Sequence, residues 1–133
     1  MNGRQWHAVV PLDACPHVDA LAISAGVFDV AVGAAGGGTV KCSQCSEVDE
    51  VMTCLHCGAV RCGRYIRAHM VEHGTREMHP VVMGALDLSF WCYACDAYVS
   101  SGHSNLAPLF AACQRRESAR EDPRSSAPRS KLW

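Results

Sequence analysis

Short apolar runs interrupted by paired cysteines give the chain its rhythm. VMTCL at 51–55 and AVRC at 59–62 read as two short strands joined across a turn. The run from Tyr65 to His73, YIRAHMVEH, holds no Gly or Pro and is followed by Gly74, which predicts a helix with a glycine stop. A strand is expected at Pro80–Met83, and SFW and AYVS, on either side of CYAC, predict a further pair. LAPLFAACQRR predicts a short final helix. Together these elements make a small α+β fold, with a short mixed β-sheet and one or two helices.

The flanks read differently. GAAGGG, from Gly33 to Gly38, predicts a flexible loop, because glycine gives up so much conformational freedom when ordered. From Gln114 onward the chain is charged and rich in Ser, Pro and Arg, a composition expected to be disordered. The organisation expected is an extension over 1–12, a folded unit over 13–113 and a tail over 114–133. The most apolar stretch, Ala20–Val40, is broken by Asp29 and by glycines, a poor fit to the ~20 apolar residues of a membrane span. No membrane association is expected.

At 133 residues, 49% of them hydrophobic, the chain has the size of one domain. Its formal net charge of -1 lacks the basic footprint of a nucleic-acid binder, so neither DNA nor RNA is an expected partner. Nine cysteines suit either a secreted disulfide scaffold or a metal protein. The N-terminal residues lack the apolar core of a signal peptide, which favours a reducing compartment, cytoplasmic or nuclear.

The candidate ligands are Cys15 and His17 in CPH, Cys42 and Cys45 in CSQC, Cys54 and Cys57 in CLHC, Cys62, His69, His73, His79, and Cys92 and Cys95 in CYAC. Structural zinc takes four thiolate or imidazole ligands, so these twelve divide into three closed sites. A CxxC turn suits this chemistry because both sulfurs can reach one ion. Structural zinc contributes roughly 10 to 16 kcal/mol of folding free energy per site, which a core this small would need. His7, His56, His103 and Cys113 remain as surface or core positions.

Disulfides fit poorly with an odd count and with adjacent CxxC cysteines. A thioredoxin-like role fails because no βαβ pattern surrounds any of the three turns. HMVEH, His69–His73, matches the HxxEH pattern of a catalytic zinc. Such a site keeps one position open, whereas here there are enough thiolates to complete four ligands on every ion. No enzyme is expected.

CPH, CSQC, CLHC, CGRYIRAHMVEHG, MHP and WCYACDAYV resemble the ubiquitin-binding zinc finger of the UBP type, as in the cytoplasmic histone deacetylase and isopeptidase T, over about Cys15–Val99. The resemblance implies the partition of ligands: Cys42, Cys45, Cys62 and His69 on one zinc; Cys54, Cys57, His73 and His79 on a second; Cys15, His17, Cys92 and Cys95 on a third. It also implies a non-catalytic module that holds the free C-terminal Gly-Gly tail of ubiquitin. Arg64 would hydrogen-bond the tail, Trp91 would form a wall, Tyr93 and Tyr98 would line the pocket, and Asp96 would stand at its side. Where better ubiquitin binders carry a tryptophan on the opposite wall, this chain has Met52, so weaker affinity is expected. The alternative is a zinc-stabilised scaffold that does not bind ubiquitin. The longer segment between His17 and Cys42 is expected to change a surface loop and leave the pocket alone.

Overall fold

A computed structural model describes residues 11–35, 40–48 and 50–121. In chain order the elements are α1 (Pro16–Asp19), α2 (Ala25–Ala34), β1 (Val51–Cys54), β2 (Val60–Cys62), α3 (His69–Glu77), β3 (Val81–Gly84), β4 (Phe90–Cys92), β5 (Ala97–Val99) and α4 (Ala107–Glu121). The strands form one sheet in the order β2-β1-β3-β4-β5, and every neighbouring pair is antiparallel. The expectation of an α+β fold is met, with two differences of detail. The sheet is not mixed, because short turns between β1 and β2, β3 and β4, and β4 and β5 can join only antiparallel neighbours; the one parallel element is an isolated bridge between Leu12 and Val99. There are also four helices where one or two were expected.

Period-two alternation gives the sheet two distinct faces. Thr53, Met83, Phe90 and Val99 lie opposite one another across four strands on one side. Cys54, Val82, Trp91 and Tyr98 make the corresponding row on the other. The first face joins Val18 and Leu21 near α1, Ala31 of α2, and Leu109 and Cys113 of α4 in the main core. Phe90 meets Phe110 edge to face there, with centroids 6.2 Å apart. The second face builds a smaller cluster in which Cys54, Met70 and Val82 are buried and Met52, Trp91 and Tyr93 pack around them. Met70 brings α3 onto that face.

Several boundaries differ from the sequence reading. Residues 64–67 form turns, Ala68 takes φ 58°, and α3 begins only at His69. Gly74 does not stop it; the helix continues to Glu77 and ends at Met78, whose φ is also 58° and whose N–H bonds back to the Gly74 carbonyl. Gly33 and Ala34, assigned to the glycine-rich loop, are the last residues of α2, and 36–39 lie outside the described residues. Helix α2 begins at a side-chain cap, with Ser24 Oγ accepting the Val27 N–H at 3.2 Å. Helix α4 runs through Glu121, well into the segment expected to be a disordered tail, and 122–133 lie outside the described residues. Of the expected extension over 1–12, residues 1–10 lie outside the description, and Leu12 is tied to β5 by backbone bonds with Tyr98 and Ser100 of 2.9 and 2.8 Å. Among the described residues, no helix is long and apolar enough to cross a membrane.

Candidate functional site

Each CxxC turn is built the same way. The residue after the second cysteine has a left-handed backbone: Ser46 at φ 66°, Gly58 at φ 83° and Asp96 at φ 53°. The N–H of Ser46 and of Gly58 bonds to the carbonyl of the first cysteine at 2.8 Å, which curls the turn so that both sulfurs face inward. Backbone donors also aim at the sulfurs themselves, with Gln44 N–H 3.4 Å from Cys42 Sγ and Cys95 N–H 3.4 Å from Cys92 Sγ. Burial pushes the Cys42 thiol up, but donors at Gln44, Cys45, Cys62 and His69 outweigh it and bring it down to about 6.

The twelve candidate ligands meet as three groups: Cys15, His17, Cys92 and Cys95; Cys42, Cys45, Cys62 and His69; Cys54, Cys57, His73 and His79. Within each group all ligand atoms lie within 4.8 Å of one another. In the first, His17 Nδ1 is 3.7, 3.5 and 3.4 Å from the sulfurs of Cys15, Cys92 and Cys95. In the second, His69 Nδ1 is 3.4 Å from both Cys42 Sγ and Cys62 Sγ. In the third, His73 Nε2 is 3.3 Å from Cys57 Sγ and 3.4 Å from His79 Nδ1. A tetrahedral zinc with bonds of about 2.0 to 2.3 Å separates its ligands by roughly 3.3 to 3.8 Å, so these are the edges of a zinc coordination shell. Donor chemistry agrees: burial pushes the Cys54 thiol up to about 11, and a cation is what would keep it a thiolate. The groups fit three zinc ions.

The leftover imidazoles have other partners. His56 Nε2 accepts the Val81 N–H at 3.1 Å, and its ring stacks on His79, 4.9 Å between centroids and 7° from parallel. Burial, then the neighbouring His79 and His73, pushes its pKa down to about 4, so it stays neutral. His103 Nδ1 accepts the Asn105 N–H at 3.0 Å, which leaves the proton on Nε2 facing Asp19 at 2.6 Å. Cys113 is buried between α2 and β3, 3.9 Å from Ala31 O and Met83 Sδ. His7 lies outside the described residues. His69 and His73 enter different groups, and Glu72 faces Arg76 at 3.6 Å, so HMVEH forms no shared metal site.

On the second face of the sheet lies a cavity of about 690 Å³, and Met52, Arg64, Trp91, Tyr93, Asp96 and Tyr98 all line it. Arg64 is held by the turn before α3. The Gly63 N–H bonds to the Glu50 carbonyl at 2.8 Å, the Glu50 carboxylate accepts the Tyr65 N–H at 3.3 Å, and that carboxylate occupies the space a side chain at Gly63 would need. The guanidinium sits over Trp91, 5.2 Å from the ring centroid. Trp91 in turn meets Tyr98 edge to face at 4.8 Å. Tyr93 points its hydroxyl at Met52 Sδ, 3.8 Å away, and burial pushes its pKa up to about 12, so it remains a donor. Trp91 Nε1 is buried without a hydrogen-bond partner among the described residues.

Sequence reasoning missed part of the lining. Glu50, Tyr65 and Leu86 also border the cavity, and Tyr65 and Leu86 are 80% and 69% exposed. Tyr65 could have been found as the neighbour of Arg64 in CGRY; Leu86 has no local signal. Asp96, expected only as a pocket residue, also serves the Cys92–Cys95 turn through its left-handed backbone, which Asp tolerates better than most residues.

Residues 42–104 match the family model described as the Zn-finger in ubiquitin-hydrolases and other protein. Histone deacetylase 6 of Caenorhabditis elegans is 39% identical over 99 residues, covering 74% of this chain and 10% of that protein. Ubiquitin carboxyl-terminal hydrolase 44 of Danio rerio is 40% identical over 58 residues, covering 44% of this chain and 8% of that protein. The chain thus spans about a tenth of the length of these relatives. Among solved structures, the SAGA Ubp8/Sgf11/Sus1/Sgf73 DUB module is similar, with a TM-score of 0.53 over 84% of this chain and 29% of the matched one. At 18% identity that likeness speaks for the fold alone.

Proposed function

Residues 42–104 belong to the UBP-type zinc-finger family, the fingers of ubiquitin hydrolases and other proteins, and on that premise we propose that this chain captures the free C-terminal Gly-Gly tail of ubiquitin without catalysing a reaction. The observation that carries the reading is the convergence of Arg64, Trp91, Tyr93, Tyr98, Asp96 and Met52 on one cavity. A peptide ending in glycines offers a carboxylate, carbonyls and almost no width. Recognising it takes a planar cation, hydroxyl donors and flat walls. Arg64 supplies the cation: its guanidinium lies over the Trp91 ring, and no ion pair ties it to a carboxylate among the described residues. Tyr93 supplies a protonated phenol, and the edge-to-face pair of Trp91 and Tyr98 supplies the wall. Three closed sets of four ligands leave no coordination position for a reacting water, in keeping with a holding role. Neither nucleic acid nor membrane is proposed as a partner, and the thiolate-rich sites suit a reducing compartment, cytoplasmic or nuclear.

Calorimetric titration with intact ubiquitin and with ubiquitin lacking its last two glycines tests this. Binding to the first alone is expected; equal binding to both, or none to either, ends the proposal. A second reading, a zinc-stabilised scaffold that binds something else, is favoured by Met52, whose thioether engages the Tyr93 hydroxyl where an aromatic wall would stand. No binding to either form is its expected result.

A further inference from the structure

Gly74 is an anomaly in α3. It lies in the body of the helix, between His73 and the end at Glu77, where glycine is a poor choice relative to alanine. Its backbone does not need glycine, since it is not among the positive-φ residues. What it does need is space. A Cβ at this position would lie 3.1 Å from the His79 carbonyl oxygen and 3.2 Å from Cδ2 of Tyr93, closer than packed carbon atoms normally approach. The Tyr93 backbone is tied to the end of β3 by its own N–H, which donates to the Pro80 carbonyl at 2.9 Å, and the side of the residue away from α3 borders the cavity. The ring therefore beds onto the bare backbone of α3, and from there its hydroxyl meets Met52 Sδ at the wall of the cavity.

We propose that Gly74 is a positioning residue for the peptide pocket: the missing side chain sets the depth of the Tyr93 ring, and so where its hydroxyl meets Met52 at the wall of the cavity. The inference rests on the tail-capture reading for its functional meaning, though the positioning itself is a property of the free protein. Its consequence is that the same helix serves two ends. His73, one residue earlier, ligates the Cys54–Cys57 metal group, while Gly74 seats a wall of the pocket. An alanine at 74 would press on the His79 carbonyl and on the Tyr93 ring, and the ring can give way toward the cavity.

The experiment is Gly74→Ala in the full chain, with zinc content by native mass spectrometry, tyrosine ring resonances by NMR, and titration with intact and Gly-Gly-truncated ubiquitin. The expected result is three zinc ions retained, a displaced Tyr93 ring signal with Tyr65 and Tyr98 unchanged, and affinity for intact ubiquitin weaker by roughly three- to tenfold. In a Tyr93→Leu background, which removes the ring, Gly74→Ala should cost clearly less melting temperature than in the parent, because of the two close contacts only that with the His79 carbonyl oxygen is left to oppose the helix preference. Unmoved Tyr93 resonances, or the same loss of melting temperature in both backgrounds, overturn the proposal. If the single variant fails to fold, recovery of folding in the Tyr93→Leu pair supports it, and no recovery overturns it. If the unaltered chain binds no ubiquitin, the tail-capture reading falls, while the ring signals and melting temperatures still decide the role of Gly74.

Discussion

The Arg64 guanidinium lies over the ring of Trp91, 5.2 Å from its centroid, and also over that of Tyr65 at 5.8 Å, contacts that hold its hydrogen-bond donors at the cavity. A lysine at the same place would carry the charge without the flat fork or the stacking. Arg64→Ala should therefore lose about 1.5 to 3 kcal/mol of ubiquitin affinity, the usual worth of a hydrogen bond to a charged group. Arg64→Lys should recover only a minor part of that. Calorimetry reads both, and full recovery by lysine would show that charge alone matters.

Met52 is the weak wall. Replacing it by tryptophan adds a rigid aromatic surface beside Tyr93, and Met52→Trp should tighten binding to intact ubiquitin by about 0.5 to 1.5 kcal/mol. No gain, with all three metals in place, would count for the scaffold reading.

The three metal groups are unequally protected. Cys57 is exposed and its partners His73 and His79 are half-buried, whereas each of the other two groups contains two buried cysteines. A chelator should strip the Cys54–Cys57 group first, giving a two-zinc species in native mass spectra before the far-ultraviolet circular dichroism collapses. Cys57→Ser should start from two ions and bind ubiquitin more weakly, because Cys54 and α3 underlie Tyr93 and Trp91. Loss of all three ions in one step would contradict this order.

His56 gives the fold an acid-sensitive term. In the unfolded chain its imidazole takes up a proton near pH 6.5, but in the folded one only near 4. Between those values the unfolded state holds more protons, so this contribution to stability is complete above about pH 6.5 and declines as pH falls toward 4. His56→Gln should flatten that part of the profile, measured as denaturant midpoints with zinc in excess. Equal slopes for the variant and the parent would assign the acid sensitivity to other groups.

Much of this was legible from residue order because its causes are local. The CxxC turns and the strands beside them need only a few residues to declare themselves, and Arg64 lies two residues after Cys62 in a recognisable motif. The partition of ligands required a family resemblance, since spacing alone allows His69 and His73 to share a metal. What stayed hidden depends on distant contacts. Helix α2 is apolar on nearly every side and carries Gly26 and Gly33, so its periodicity is blurred; Ser24 was the one available sign of its start. Gly74 looked like a helix stop because a glycine at that spacing usually is one, and the demand that puts it there comes from the His79 carbonyl and from Tyr93, nineteen residues away in the chain. Leu86 reaches the cavity rim only because β3 and β4 fold back beside β1.

The two rows of side chains that cross the strands make the sheet a partition. On one side Met83, Phe90 and Val99 bed the long helices; on the other Trp91 and Tyr98 front the cavity, and no residue of α2 or α4 lines it. Changes to the helical side, including the length of the segment after α1, are thus insulated from the recognising side. Grafts, labels or tethers for laboratory use belong on α2, where they would report on the finger without standing in the way of its ligand.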